Sequence, residues 1–352
     1  MSIWRFAQWL APVATEYRLS LGEGATPLVR SRSIGPRAGL SQLYFKVESA
    51  NPSGSYKDRF AAVAISAMCA EGKSRCVATS SGNTGAALAA YCAAAAMPCE
   101  IAIVESAPLG KLQQMLAYGA RLKRVRGFGI DQQITHATFE RLAELGRSPE
   151  AALQISAFHY SPLGMTGVQT ISYELVEQLA ETGQLLRHVF APAGGGGLAL
   201  AVARGLLDVN CEAAVHVVQP EGNDTIATPL RNGEAQAHAV TCTSSVSGLQ
   251  VPSVIDGNET IAECRASGGT GHTVSDIEVW KLQSQLAREE GIFCEPAGAV
   301  ALAGAMKAVE SGEVSKQETI VCLVTGTGFK DVASVERMTN DLVCPTVEVS
   351  EM

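Results

Sequence analysis

Asn51-Pro52-Ser53-Gly54-Ser55-Tyr56-Lys57-Asp58-Arg59 is a tight polar turn that runs straight into an apolar stretch, Phe60 to Met68. Asn-Pro and Ser-Gly are turn signals, and the apolar run after them predicts a helix. Lys57 is thereby set at the mouth of that helix. A helix start carries unpaired N–H groups and a partial positive charge, which favours the neutral amine over the ammonium. A nucleophilic lysine needs that bias. Since a lysine in a turn is ordinarily only an exposed cation, the meaning of Lys57 depends on the sequence around it.

Working outward, Leu43 to Glu48 is rich in β-branched and aromatic residues and predicts a strand feeding the turn, whereas Thr26-Pro27-Leu28 reads as loop. Downstream, residues 75–79 predict a strand. Ser80-Ser81-Gly82-Asn83-Thr84-Gly85 is a loop of cap residues and glycines, and 86–96 is an alanine-rich helix. Strands are expected at 100–104 and 121–126, the latter a cationic sheet edge, and helices at 109–118 and 130–145. The pattern resumes with a helix over 164–180, strands at 188–191 and 215–219, and a helix over 198–207. A helix capped by Ser275 runs to residue 290, another spans 297–309, and 319–324 is a final strand. Residues 240–272 show no clear period. Strands alternating with helices predict an α/β fold with parallel sheets covered on both faces.

Composition removes several classes of function. A net charge of -8 leaves no surface for nucleic acid. The longest apolar stretch, Gly85 to Met97, is too short to span a bilayer, and residues 1–10 lack the pattern of a signal peptide, so no membrane partner is expected. None of the 10 cysteines forms Cys-x-x-Cys and the 6 histidines show no ligand spacing, so no metal is expected. The cysteines read as small buried hydrophobes in a reducing, cytoplasmic setting.

A second glycine-rich turn supplies the chemistry. Pro192-Ala193-Gly194-Gly195-Gly196-Gly197-Leu198 lies between an expected strand and an expected helix. Such a turn lets successive N–H groups converge on an anion, best a phosphate, in front of a helix start. It is neither a Walker loop nor Gly-x-Gly-x-x-Gly, which argues against a dinucleotide. A phosphate cradle, a helix-start lysine and a Ser-Ser-Gly-Asn loop together point to pyridoxal 5'-phosphate, with its aldehyde condensing with Lys57.

The same stretches, with Trp4-Arg5-Phe6, Ser20 to Gly24, Glu295-Pro296-Ala297 and Thr325 to Asp331, resemble the threonine synthase-like members of the tryptophan synthase β-subunit (fold type II) pyridoxal-phosphate enzymes. The resemblance covers nearly the whole chain. It implies two doubly wound parallel-sheet domains with the cofactor in the cleft between them. Residues 64–150 would form a smaller mobile domain, and 1–63 with 151–352 the larger one. It implies that Lys57 binds the cofactor and shuttles protons, Asn83 bonds the cofactor's 3'-oxygen, and Thr325 faces the pyridine nitrogen. Gly194 to Leu198 would hold the phosphate. Ser80, Ser81 and Thr84 would hold the substrate α-carboxylate, with Gln169 also on the substrate side. A homodimer is implied as well.

Two departures from the family pattern leave the substrate open. Many members read Gly-Asn-Ala-Gly-Asn where this chain has Gly194 to Leu198, a run that is similar to serine and threonine dehydratases. Members also usually carry an arginine before a Gly-Gln-Lys-Thr-like segment, and the matching stretch, Ser161 to Thr170, has none. Lys111 or Arg59 could compensate. The leading expectation is conversion of O-phospho-L-homoserine and water to L-threonine and phosphate. The alternatives are a serine/threonine ammonia-lyase, a β-replacement enzyme acting on O-phosphoserine, or a cofactor-binding protein with little catalysis.

Overall fold

The computed structural model describes residues 2–80, 82–105, 107 and 109–352, and leaves aside the side chains of Leu109, Lys111 and Glu351. β1 (Leu28–Arg30), α1 (Ile34–Ala38) and β2 (Leu43–Val47) lead to α2 (Lys57–Ala70). Then come β3 (Arg75–Thr79), α3 (Asn83–Ala94), β4 (Cys99–Ile103), α4 (Leu109–Ala117), β5 (Arg121–Arg124), α5 (Gln132–Gly146) and β6 (Ala151–Gln154). The chain continues through α6 (Pro162–Glu181), β7 (His188–Pro192), α7 (Gly197–Asp208), β8 (Ala214–Pro220) and α8 (Ala227–Arg231). α9 (Gly257–Ala266), β9 (Gly271–Val274), α10 (Asp276–Glu290), α11 (Pro296–Glu310), β10 (Ile320–Val324) and α12 (Val332–Thr339) follow.

The strands form two sheets. One has the order β1-β2-β10-β7-β8-β9 and the other β5-β4-β3-β6. All pairings are parallel except β1 with β2. β10 reads Ile-Val-Cys-Leu-Val and is buried along its whole length, as a central parallel strand covered on both faces must be. β5 is the expected edge, and its exposed Arg121, Lys123 and Arg124 discourage further pairing. Ser275 caps α10 with Glu278 in a reciprocal box, as its sequence predicts.

Three expectations need correction. The loop read at Thr26-Pro27-Leu28 leads into β1, whose three residues are too few to show a period. The smaller sheet extends past residue 150, because β6 pairs with β3 from Ala151 to Gln154. The patternless stretch 240–272 contains α9 and reaches β9. Among the described residues no helix is long and apolar enough to cross a membrane.

A buried network of charges fixes the start of α2. All five N–H bonds of the Arg59 guanidinium are used: they reach Glu48 Oε1 and Oε2, Glu174 Oε1 and Oε2, Thr170 Oγ1 and Thr26 Oγ1 at 2.7–3.1 Å. Lys46 Nζ donates to Glu174, to Gln178 and to the Thr26 carbonyl. Ala25 N donates to Glu174, and Asn51 Nδ2 to Glu48. Burial opposes charge on every member. For Arg59 the two carboxylates outweigh it and hold the guanidinium charged, while for Lys46 burial prevails and its amine binds a proton less tightly. Glu174 stays well below the usual carboxylate range, because Arg59 and Lys46 overcome its burial. Two cations and two anions balance, so the group is stable as a set and costly to break.

That balance gives a stability prediction. Glu174→Gln leaves an uncompensated positive charge in the core and should lower the unfolding free energy by about 3–5 kcal/mol in a denaturant titration. Glu177→Gln removes only the surface partner of Arg5 and should change it by less than about 1 kcal/mol. Equal losses would contradict the role given to the network.

Candidate active site

Lys57 is the first residue of α2, with Tyr56 as its cap. Its side chain enters a cavity of about 380 Å³ lined also by Asn83, Thr84, Gly194 to Leu198, Glu295, Thr325 and Lys330. The amine donates to Ser156 Oγ and lies 4.4 Å from the centre of the Tyr56 ring. Burial lowers its pKa to about 8, against the opposing pull of the Asp256 and Glu295 carboxylates. At a pH well below 8 its neutral fraction is about 300-fold that of a lysine at 10.5. Loss of water around the amine therefore supplies the bias that the sequence ascribes to the helix start.

The glycine run forms the opposite wall. Gly196 has φ 98°, in the left-handed region, and caps α7 without any side-chain acceptor on the helix N–H groups. A Cβ at Gly196 would stand 2.4 Å from Thr260 Oγ1, and one at Gly197 2.9 Å from Asp256 Oδ2. Backbone N–H groups thus face the cavity at a helix start with no room for a side chain, which suits a phosphate. A buried lysine amine in the same cavity completes a site that fits pyridoxal phosphate.

Asn83 begins α3 and lines the cavity. Its Nδ2 donates to both Glu295 oxygens at 2.9 and 3.0 Å. Thr325 Oγ1 donates to Glu295 Oε1 at 3.0 Å. Thr84 Oγ1 is 3.2 Å from Ser156 Oγ. Ser80 Oγ accepts from Gly82 N and Gly85 N, so it orders the loop at the start of α3. The cavity thus gathers Lys57, Ser80, Asn83, Thr84, Gly194 to Leu198 and Thr325 from stretches far apart in the chain. Ser81 lies outside the described residues, as does the side chain of Lys111.

Two expected residues are not brought to the cavity. Gln169 lies on the buried face of α6, where its amide donates to Asp208 on α7. Arg59, a candidate for the missing substrate cation, is fully buried and committed to Glu48 and Glu174. Ser161, which opens the stretch without the family's arginine, is buried and accepts from Ile155 N.

Sequence reasoning missed four groups. Glu295 joins Asn83 to Thr325, and its motif gave only family resemblance and a helix start. Asp256, in the patternless stretch, accepts from Phe158 N and His159 N and so ties the Ser156 loop to the glycine cradle. Ser156 meets Lys57 and Thr84 from the loop after β6, a strand the sequence did not signal. Lys330 lines the cavity and donates to Gln114 Oε1 at 2.5 Å, while Gln114 Nε2 donates to the Ser53 carbonyl. Burial lowers the pKa of Lys330, with Glu295 and Asp58 opposing the shift.

A family profile described as pyridoxal-phosphate dependent enzyme matches residues 19–326. A threonine synthase of Methanocaldococcus jannaschii is 32% identical over 351 residues, covering 94% of this chain and 81% of the relative. One of Halalkalibacterium halodurans is 29% identical, covering 94% and 91%. Among solved structures, the processed form of threonine deaminase isoform 2 from Solanum lycopersicum aligns with a TM-score of 0.75 at 22% identity, covering 97% and 94%. An O-ureido-L-serine synthase aligns with a TM-score of 0.72 at 23% identity, covering 92% and 95%. At these identities the two structures speak for the fold alone.

The electrostatics of Lys57 can be measured directly. Reductive methylation of the cofactor-free protein, followed by peptide mass spectrometry, should give a midpoint near 8 for Lys57, while exposed lysines titrate above about 10. Asp256→Asn removes a carboxylate that stabilises the ammonium, so the Lys57 midpoint should move down. An upward move would show that Asp256 acts on Lys57 in some other way.

Proposed function

Since the chain belongs to the pyridoxal-phosphate dependent enzymes, we propose that it is a threonine synthase-type lyase, converting O-phospho-L-homoserine and water to L-threonine and phosphate. It is an enzyme that uses pyridoxal phosphate. The observation that carries the finer reading is similarity to threonine synthases over nearly the full chain, together with a Lys57 amine poised to take and return protons near neutral pH.

When bound, pyridoxal phosphate supplies an electron sink for negative charge at the substrate's α-carbon. The chain's own residues would do the rest. Gly194 to Leu198 would hold the cofactor phosphate and Asn83 its 3'-oxygen. Thr325 would meet the ring nitrogen with a hydroxyl, which favours elimination and replacement over transamination. The start of α3, with Ser80 and Thr84, would receive the substrate carboxylate. Lys57 would move protons, with Ser156 accepting from its amine. Among the described lining residues Lys57 and Lys330 are the cations, so a second phosphate would depend on them. The four-stranded unit, taken as 64–154, would close over the substrate and exclude water. The reading includes a homodimer in a reducing, cytoplasmic setting, and the ten unbridged cysteines support that setting.

A second reading is favoured by one observation: no arginine lines the cavity among the described residues. That suits a serine/threonine ammonia-lyase, or a β-replacement enzyme using O-phosphoserine.

The cofactor-loaded protein should be offered O-phospho-L-homoserine, O-phospho-L-serine, L-serine and L-threonine in parallel, with Lys57→Ala as control. Phosphate and threonine from O-phosphohomoserine, abolished in Lys57→Ala, are the expected result. A 2-oxo acid from serine or threonine, with O-phosphohomoserine inert, would replace the first reading by the second.

A further inference from the structure

Cys76 on β3, Cys92 on α3 and Cys99 on β4 bring their Sγ atoms within 4.8 Å of one another. The register of the smaller sheet sets Cys76 opposite Cys99, so both sulfurs leave the same face, the one covered by Cys92. All three are buried and none is bridged. Among the described residues no other group of His, Cys, Asp or Glu ligand atoms gathers in this way. Close packing alone does not call for sulfur here. α3 reads Asn-Thr-Gly-Ala-Ala-Leu-Ala-Ala-Tyr-Cys-Ala-Ala, and alanine would serve the packing at position 92 as it does around it.

We propose that this cluster is a three-sulfur binding site for a soft, monovalent d10 cation, with Cu(I) as the physiological type. The donor set decides the class. Hard cations require oxygen ligands, and zinc in structural sites takes four ligands in a tetrahedron. Here three sulfurs converge, with no fourth His, Cys, Asp or Glu among the described residues. Thiolate donors select Cu(I) among the biological metals that accept so few ligands. The spacing fits: with metal–sulfur bonds of about 2.3 Å, a trigonal centre needs sulfurs about 4.0 Å apart, in keeping with three sulfurs that all lie within 4.8 Å of one another. The charge also fits, since one thiolate, two thiols and a monovalent cation make a neutral unit that needs no counter-ion in an apolar core. Each sulfur that binds as thiolate releases one proton to solvent.

The site lies beneath an exposed turn and away from the cofactor cavity. Cys92 falls two residues before the end of α3, and Cys99 opens β4. The turn between them exposes Ala93, Ala94, Ala96 and Pro98, and Ala96 holds a left-handed φ of 51°. The cavity lies at the opposite end of β3, where Thr79 leads to Ser80. A cation can therefore enter beside the alanine turn without passing the active site.

The test uses the reduced, cofactor-loaded protein under anaerobic conditions, titrated with Cu(I) held by a competing chelator and with Ag(I) as a redox-inert probe. Wild type and Cys344→Ser, which lacks an exposed thiol, should each take up one equivalent, seen by native mass spectrometry and a sulfur-to-metal absorption band. Cys92→Ala, within an alanine-rich helix, should bind at least about tenfold more weakly while keeping its basal turnover. X-ray absorption of the wild-type copper form should show sulfur neighbours only, and it tests the site even if the variant misfolds. Equal uptake by wild type and Cys92→Ala, nitrogen or oxygen neighbours, or Zn(II) uptake as tight as that of Cu(I) would overturn the assignment.

Discussion

The Arg59 guanidinium is the fixed point of this molecule. It is fully buried, and its N–H bonds tie α2 to the turn just after β2, to α6 and to the loop before β1. A charge in that position could not be tolerated without Glu48 and Glu174, and those carboxylates could not be buried without Arg59 and Lys46. The mutual dependence removes freedom from the turn at 51–58. Asn51 is held by Glu48 on one side and accepts from Gly24 N on the other, while the Asp58 carboxylate accepts from Ser53 N. Lys57 therefore leaves a rigid base, two residues before the arginine. Conserving the direction of one amine is what the surrounding charges achieve.

Much of this was legible in the chain. The turn before α2, the glycine run before α7 and the alternation of strand and helix rest on local chemistry, and local chemistry is what sequence displays. The residues that escaped notice act across the fold. Glu295 matters because Asn83 and Thr325 reach it from other elements. Asp256 matters because its oxygens hold a loop a hundred residues upstream. Arg59 was read as a free cation because carboxylates brought to it by folding are invisible along the chain. Family resemblance puts Gln169 on the substrate side, whereas the fold turns it toward α7, where its amide donates to Asp208.

The cavity balances opposing influences rather than accumulating charge of one sign. Lys57 loses water and so loses affinity for its proton, while Asp256 and Glu295 limit that loss. Were burial to act alone, the amine would be a weak base as well as a neutral nucleophile. Were the carboxylates closer, it would remain an ammonium. A pKa of about 8 lies between these limits and keeps both protonation states populated under working conditions.

The side chain of Gln114 has a consequence for how the two sheets can part. Its nitrogen is held by the Ser53 carbonyl and its oxygen by Lys330, in segments that follow β2 and β10 of the six-stranded sheet, while Gln114 rides on α4, between β4 and β5 of the four-stranded one. One planar amide serves both partners, so separation cannot proceed by slipping one bond and keeping the other. The two must fail together, at a cost of a few kcal/mol by the usual worth of a neutral and a charged hydrogen bond. If the smaller unit moves as proposed, this amide would act there like a catch, with a threshold in place of a gradual slip.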